Sequence, residues 1–224
     1  MFTQQNPSQT YTELLSHYRS MHANGYSRVI DGQKVDVAPE KTFPGDQLPI
    51  YVLSIKEMID ATGAKTIIDY GCGKGQQYEL GPIKDSNGKI LGRNIQSLWN
   101  VSNIHRYDPG VPMFDTYPSG TFDGVISTDV LEHIPREDVF WVVDEFVRMA
   151  DKFVFANIAC YPAMARLPDG RNAHVTVEHP RWWAGIFEAA ARRKPDLKMR
   201  LVCVGTGMAP DGTQQRATVT MNLR

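Results

Sequence analysis

The run Thr66-Ile67-Ile68-Asp69-Tyr70-Gly71-Cys72-Gly73-Lys74-Gly75 constrains this chain more than any other stretch. Two β-branched apolar residues lead into an acid, and glycines follow at alternate positions. Buried parallel strands have that apolar character, and glycines at a strand's end let the chain turn tightly and bring bare backbone against a ligand. A helix starting near Gly75 would direct free N–H groups into the same space, so the predicted site takes a ligand with an anionic or carboxylate end.

Glycine spacing narrows the choice. The dinucleotide fingerprint is G-x-G-x-x-G, but here Gln76 stands where its third glycine belongs. With Asp69 two residues ahead of Gly71, the run resembles motif I of the class I S-adenosylmethionine (SAM) methyltransferases. That resemblance implies an α/β fold with a Rossmann-like, seven-stranded, mostly parallel sheet, one antiparallel C-terminal strand and helices on both faces. It implies SAM as cofactor and S-adenosylhomocysteine as product. Asp69, Tyr70, Gly71, Cys72, Gly73 and Gly75 would surround the methionine end of that cofactor.

A second acid follows. Asp108 ends the predicted strand Asn103–Asp108, 33 residues beyond Gly75, whereas dinucleotide folds place their ribose-binding acid about 20 residues on. Residues 82–98, with the turn signal Asn87-Gly88, read as an insertion that lengthens the connection. By resemblance, Asp108 takes the ribose hydroxyls. The stretch Thr121 to Pro135 then carries Phe122-Asp123-Gly124-Val125 and Asp129-Val130-Leu131-Glu132-His133-Ile134. It resembles the fourth motif of methyltransferases with the F-D-x-V…D-V-L-E-H-I pattern, common in small-molecule and ubiquinone-type members. Thr128 and Asp129 would lie beside cofactor and acceptor.

Periodicity fills in the rest. Tyr11, Leu14, Leu15, Tyr18 and Met21 predict an N-terminal helix ending near Gly25, either a lid over the pocket or plain packing. Residues 26–47 read as loop with short strands, and Phe43-Pro44-Gly45 could reach the pocket. Leu48–Thr62 is a helix with Pro49 in its first turn. A helix runs about Arg136 to Ala150, a strand Lys152 to Ile158, and a helix follows Pro180. Leu201–Gly205 and Arg216–Leu223 read as a closing antiparallel pair. The chain is read as one domain, 1–224, with residues 1–47 an extension and 48–223 the core.

Composition excludes several classes. With 24 basic and 25 acidic residues the net charge is −1, which offers no broad surface for a phosphate backbone. No Pro-Cys nucleophile occurs, and Ser127-Thr128-Asp129-Val130 occupies the place where amino-directed DNA enzymes carry Asp/Asn-Pro-Pro-Tyr/Phe. Cys72, Cys160 and Cys203 form no C-x-x-C pair or disulfide pattern and read as free thiols in a reducing cytoplasm. No signal peptide or membrane span is visible, so a cytoplasmic location without membrane partners is expected, as monomer or homodimer.

Methyl transfer to a hydroxyl or amine needs orientation, a dry site and help with a proton. His133, His174 and Asp129 are the candidate catalytic residues. Arg171, Asn172, His174 and Trp182 are the candidate acceptor contacts, because a long polar loop precedes a Trp-rich helix. The sets Asp129/Glu132/His133 and His174/Glu178/His179 match no known metal-ligand spacing, so no metal is expected. The expected function is SAM-dependent methylation of a small-molecule or glycan-like acceptor at O or N. The alternatives are a nucleic-acid or protein methyltransferase and a non-catalytic SAM-binding partner protein.

Overall fold

The computed structural model describes residues 2–30, 33–208, 211 and 213–223. In chain order the elements are α1 (Gln9–Asn24), β1 (Tyr26–Ile30), β2 (Gln33–Val37), α2 (Leu48–Thr62), β3 (Thr66–Tyr70), β4 (Ile83–Lys84), β5 (Ile90–Gly92), α3 (Ile95–Trp99), β6 (Asn103–Tyr107), β7 (Phe122–Thr128), α4 (Val139–Met149), β8 (Ala150–Ala159), α5 (Pro180–Ala191), β9 (Lys198–Met208) and β10 (Gln214–Leu223). The predicted turn between the last two strands lies partly outside the described residues, at 209, 210 and 212.

Six strands form the main sheet, in the order β10-β9-β8-β7-β3-β6. All neighbours are parallel except β10, which runs antiparallel to β9. The expected α/β class and the antiparallel C-terminal strand are present, but the sheet of the described residues has six strands, not seven. The missing one belongs between β6 and β7, where Pro109, Pro112 and Pro118 interrupt the chain. Proline donates nothing to a ladder, and the backbone there curls back instead, with Asp108 N–H donating to Phe114 C=O at 2.9 Å.

Both faces of the sheet are covered, as alternation along the strands requires. Ile68, Val125, Val154 and Ala156 pack under α4 and α5, with Val142, Phe146, Trp183 and Phe187 fully buried. Ile67, Ile126, Phe153 and Phe155 point the other way, onto Val52, Ile55 and Ile59 of α2 and Trp99 of α3. Trp99 also donates its indole N–H to Val52 C=O at 2.8 Å. The insertion is a small hairpin, β4–β5, followed by α3, whose start is fixed by a reciprocal Asn94–Ser97 capping box.

The N-terminal helix is tied down at both ends. Ser8 caps α1 by accepting from Tyr11 N–H, and its own N–H and hydroxyl donate to the buried Asp138 carboxylate. Near the other end Arg19 donates to Pro109 C=O at 3.1 Å, and Lys74 donates to His22 C=O at 3.0 Å. Among the described residues no helix is long and apolar enough to cross a membrane.

Candidate functional site

The chain leaves β3 for β6 on one side of it and later returns to β7 on the other. At such a reversal the loops diverge and leave a crevice beyond the carboxyl ends of the strands. A cavity of about 150 Å³ lies there. Tyr70, Gly71 and Gly73 come to it from the end of β3, Asp108 and Gly110 from the end of β6, and Thr128, Asp129 and Val130 from the end of β7. Tyr11, Leu14, Leu15, Tyr18 and His22 of α1 face it from the opposite side. Phe43 and Gly45 complete the wall, as the sequence suggested for that segment.

The glycine loop is more self-contained than expected. Gly71 and Cys72 N–H both donate to Tyr107 C=O, Gly73 N–H to Asp108 Oδ2 at 2.8 Å, Lys74 N–H to Phe43 C=O and Gln76 N–H to Pro44 C=O. A short 3₁₀ turn, Gln76–Glu79, follows in place of a helix start. The open cradle of amides predicted for an anionic group is therefore absent: the loop spends its donors on itself, on Asp108 and on the 43–44 segment.

Three motif residues are also turned away from the cavity. Asp69 is 1% exposed and faces the turn after the loop, where Oδ2 accepts from Tyr78 hydroxyl at 2.8 Å and Gln77 amide at 3.3 Å. It is not among the residues that line the cavity. Cys72 is buried against Val111 and Phe114. The Cα of Gly75 faces Arg106 and Phe114.

Burial holds the Asp69 carboxyl up at about 7, against the Tyr78 hydroxyl and the Arg106 guanidinium, which act in the opposite direction. The folded chain thus keeps a proton that the unfolded chain releases near pH 4. Stability should fall as pH rises from about 4 to about 7, by about 1.4 kcal/mol for each tenfold difference in proton affinity. Denaturant unfolding of wild type and Asp69→Asn across that window checks this. The wild-type advantage should shrink with rising pH, and a constant difference would exclude a raised carboxyl.

Asp108 stands on the cavity wall. Each carboxylate oxygen takes one backbone donor, Oδ2 from Gly73 and Oδ1 from Gly110 at 2.8 Å. Each retains a second lone-pair direction.

At the end of β7 the geometry converges. Asp129 sits at φ +60°, a left-handed conformation that aspartate tolerates better than most residues. His133, in the turn after β7, has Nδ1 2.8 Å from Ala173 C=O and 2.8 Å from Tyr18 hydroxyl. A carbonyl oxygen only accepts, so Nδ1 carries the proton and Nε2 keeps its lone pair. His174 comes from the long β8–α5 loop, and its Nδ1 bonds Tyr161 C=O in the same manner. The two imidazole rings meet edge-on at 4.8 Å. Burial pushes His133 down to about 4, against the pull of the Asp129 carboxylate, and lowers His174 too. Both are neutral at ordinary pH. Glu132, fully buried, accepts from Ala159 N–H; its other oxygen has no partner, and burial beside Asp129 raises its carboxyl well above the usual range.

The other predicted acceptor contacts are elsewhere. Arg171 is exposed and paired with Asp169 at 2.6 Å, and Asn172 ties its own loop to Ala163. Trp182 packs on Phe140, Trp183 and Arg136 over α4 and α5. None of these three is on the cavity wall. Asp46, Gln47 and His22 line the wall without a signal in the sequence motifs; His22 is buried with Nδ1 unpartnered and its imidazole held down at about 4 by burial. Its position four residues after Tyr18 puts it on the same face of α1, which was the available signal.

No family model and no curated protein matches the chain. Among solved structures, magnesium protoporphyrin IX methyltransferase (ChlM) from Synechocystis PCC 6803 with bound SAH aligns over 94% of each chain at 16% identity and a TM-score of 0.40. The DhpI–SAH complex aligns over 96% of this chain and 81% of its own at 14% identity and a TM-score of 0.31. Alignments this loose assign no chemistry to the chain.

Proposed function

We propose that this chain binds SAM in the strand-end crevice and transfers its methyl group to a small-molecule or glycan-like acceptor. The single observation that carries the reading is the meeting, at the reversal point of the sheet, of Gly71 and Gly73, Asp108, and Thr128 and Asp129, the ends of β3, β6 and β7. Parallel sheets bind nucleoside-containing ligands at that place. SAM, when bound, supplies an electrophilic methyl carbon on sulfur.

The residues of the chain supply the rest. Asp108 keeps free lone pairs for two ribose hydroxyls. Leu14, Leu15, Phe43 and Ile134 give the cavity an apolar wall that suits a purine and excludes water. Asp129 and His133 border the space where an acceptor would meet the methyl group. The His133 lone pair accepts a hydrogen bond from an acceptor hydroxyl and orients it, although an imidazole held near 4 removes a proton poorly. Small-molecule sites usually enclose about 300 Å³ or more, so α1 gives up its Arg19–Pro109 and Lys74–His22 hydrogen bonds as its wall residues withdraw to admit the ligand.

Calorimetric titration with SAM, followed by methylation assays on a panel of hydroxyl and amine acceptors, tests the reading. Micromolar or tighter binding with product formation is expected, and SAH or SAM should co-purify and be identified by mass spectrometry. Absence of binding would sink the proposal. Tight binding with no product on any acceptor would favour a non-catalytic partner instead.

A further inference from the structure

We infer that Asp129, His133 and His174 form a site for one divalent first-row transition-metal ion. One ligand atom from each, two imidazole nitrogens and a carboxylate oxygen, lie within 4.8 Å of one another. Among the described residues no other group of three such side chains converges in this way. The three residues match no ligand spacing along the chain, because the third lies 41 residues after the second, and only the return of the β8–α5 loop brings it in.

Four features separate this cluster from a chance meeting of polar groups. Both imidazoles give their Nδ1 proton to a backbone carbonyl, Ala173 for His133 and Tyr161 for His174. That arrangement fixes the tautomer with Nε2 unprotonated and is the usual outer-sphere support of a metal-bound histidine. Tyr18 braces the first of these carbonyls at 3.0 Å. Glu132, completely buried and in contact with Asp129, leaves Oε2 without a partner, a buried acceptor next to the cluster. An ion that binds nitrogen at ~2.1 Å would need each donor to close in by less than ~1 Å, a side-chain adjustment rather than a refolding.

The donor set selects the ion. Two imidazoles with one or two carboxylates suit zinc, cobalt, iron or manganese, and they discriminate against magnesium and calcium, which prefer all-oxygen shells. Because Asp129 and His133 also belong to the cavity wall, a cation there sits at the cavity's edge. It can hold an oxygen of whatever occupies that space and lower the proton affinity of a bound hydroxyl. Coordination takes up the His133 Nε2 lone pair, so with the ion bound it is the cation, and not the imidazole, that orients an acceptor hydroxyl. The site stands on these side chains alone, whether or not SAM is the cofactor.

Cobalt is the probe. The full-length chain, freed of metal with a chelator, is titrated with Co²⁺ by calorimetry and by visible absorption. Expected are one equivalent bound and the appearance of visible ligand-field absorption on addition of Co²⁺, with Mg²⁺ failing to compete at tenfold excess. His133→Asn and His174→Asn retain an amide N–H for the supporting carbonyl while removing the Nε2 ligand. Each should weaken Co²⁺ at least tenfold with the circular dichroism spectrum unchanged, as should Asp129→Asn. No saturable Co²⁺ binding to the wild-type chain overturns the inference, whatever the variants do. So does equal binding by wild type and by those variants that fold. SAM binding is measured separately on the same preparations, so failure of one reading is distinguishable from failure of the other.

Discussion

Replacing Asp108 by alanine should weaken SAM binding by about two orders of magnitude or more. The carboxylate is the one ionisable group on the cavity wall that already organises the loop around it, taking Gly73 N–H on one oxygen and Gly110 N–H on the other. In the proposed complex its remaining lone pairs would accept from the ribose hydroxyls, and a hydrogen bond to a charged group contributes about 1.5–3 kcal/mol. Two such bonds correspond to ~3 kcal/mol or more, and each 1.4 kcal/mol is tenfold in affinity. Alanine also frees both backbone donors, so the loop itself loosens. Calorimetry with SAM is the measurement, accompanied by circular dichroism to confirm that the variant is folded. A folded Asp108→Ala chain with unaltered affinity would remove Asp108 from the ribose and with it the reading of the crevice.

Gly71→Ala should cost about 2–5 kcal/mol of stability, the sum of two terms. The residue adopts φ +84°, where a Cβ is strained, at a typical cost of ~1–2 kcal/mol. The added Cβ would also lie 2.3 Å from Val130 Cγ2, and forcing a methyl group into packed space costs about 1–3 kcal/mol. For a chain of this size that lowers the thermal midpoint by ~10 °C. The double variant Gly71→Ala/Val130→Ala relieves the contact but not the backbone, so it should recover only part of the loss. A midpoint within a degree or two of wild type for the single variant would mean that the β3 and β7 ends are not locked together. The same contact explains why the glycine is needed here: β3 and β7 are adjacent parallel strands, and their terminal loops cross where a side chain from only one of them fits.

What was legible in the sequence was the part governed by local rules. The β-branched run of β3, the stripe of α2, the Asn87-Gly88 turn and the proline that opens α5 are consequences of residue-level preferences, and each is where periodicity and turn chemistry put it. The two motifs marked the crevice because glycines and acids at strand ends are local features too. The strand count was overestimated because the resemblance supplied a strand that three prolines between residues 109 and 118 do not allow.

The orientation of side chains was not local. Asp69 belongs to the most informative decapeptide of the chain, yet it faces Gln77 and Tyr78, and Asp108 from a different strand occupies the loop's amide. Arg171 and Asn172 have the composition of acceptor contacts, and the structure pairs Arg171 with Asp169 and bonds Asn172 to Ala163 within their own loop. His174, three residues from Arg171, is the member of that loop carried to His133, because the Ala173 and Tyr161 carbonyls each take an imidazole proton and lock the pair together.

The sequence by itself determined the order of strands and helices, the class of the sheet and the three strand ends at which a ligand can sit. Hydrophobic period, glycine placement and helix caps act over a few residues and are written in consecutive letters. Only the tertiary structure decided which of the polar groups face one another. Asp129, His133 and His174 meet across 45 residues of chain, and α1 closes over them from the far N-terminal side. Such convergence depends on how two layers pack against one sheet, and no spacing along the chain encodes it.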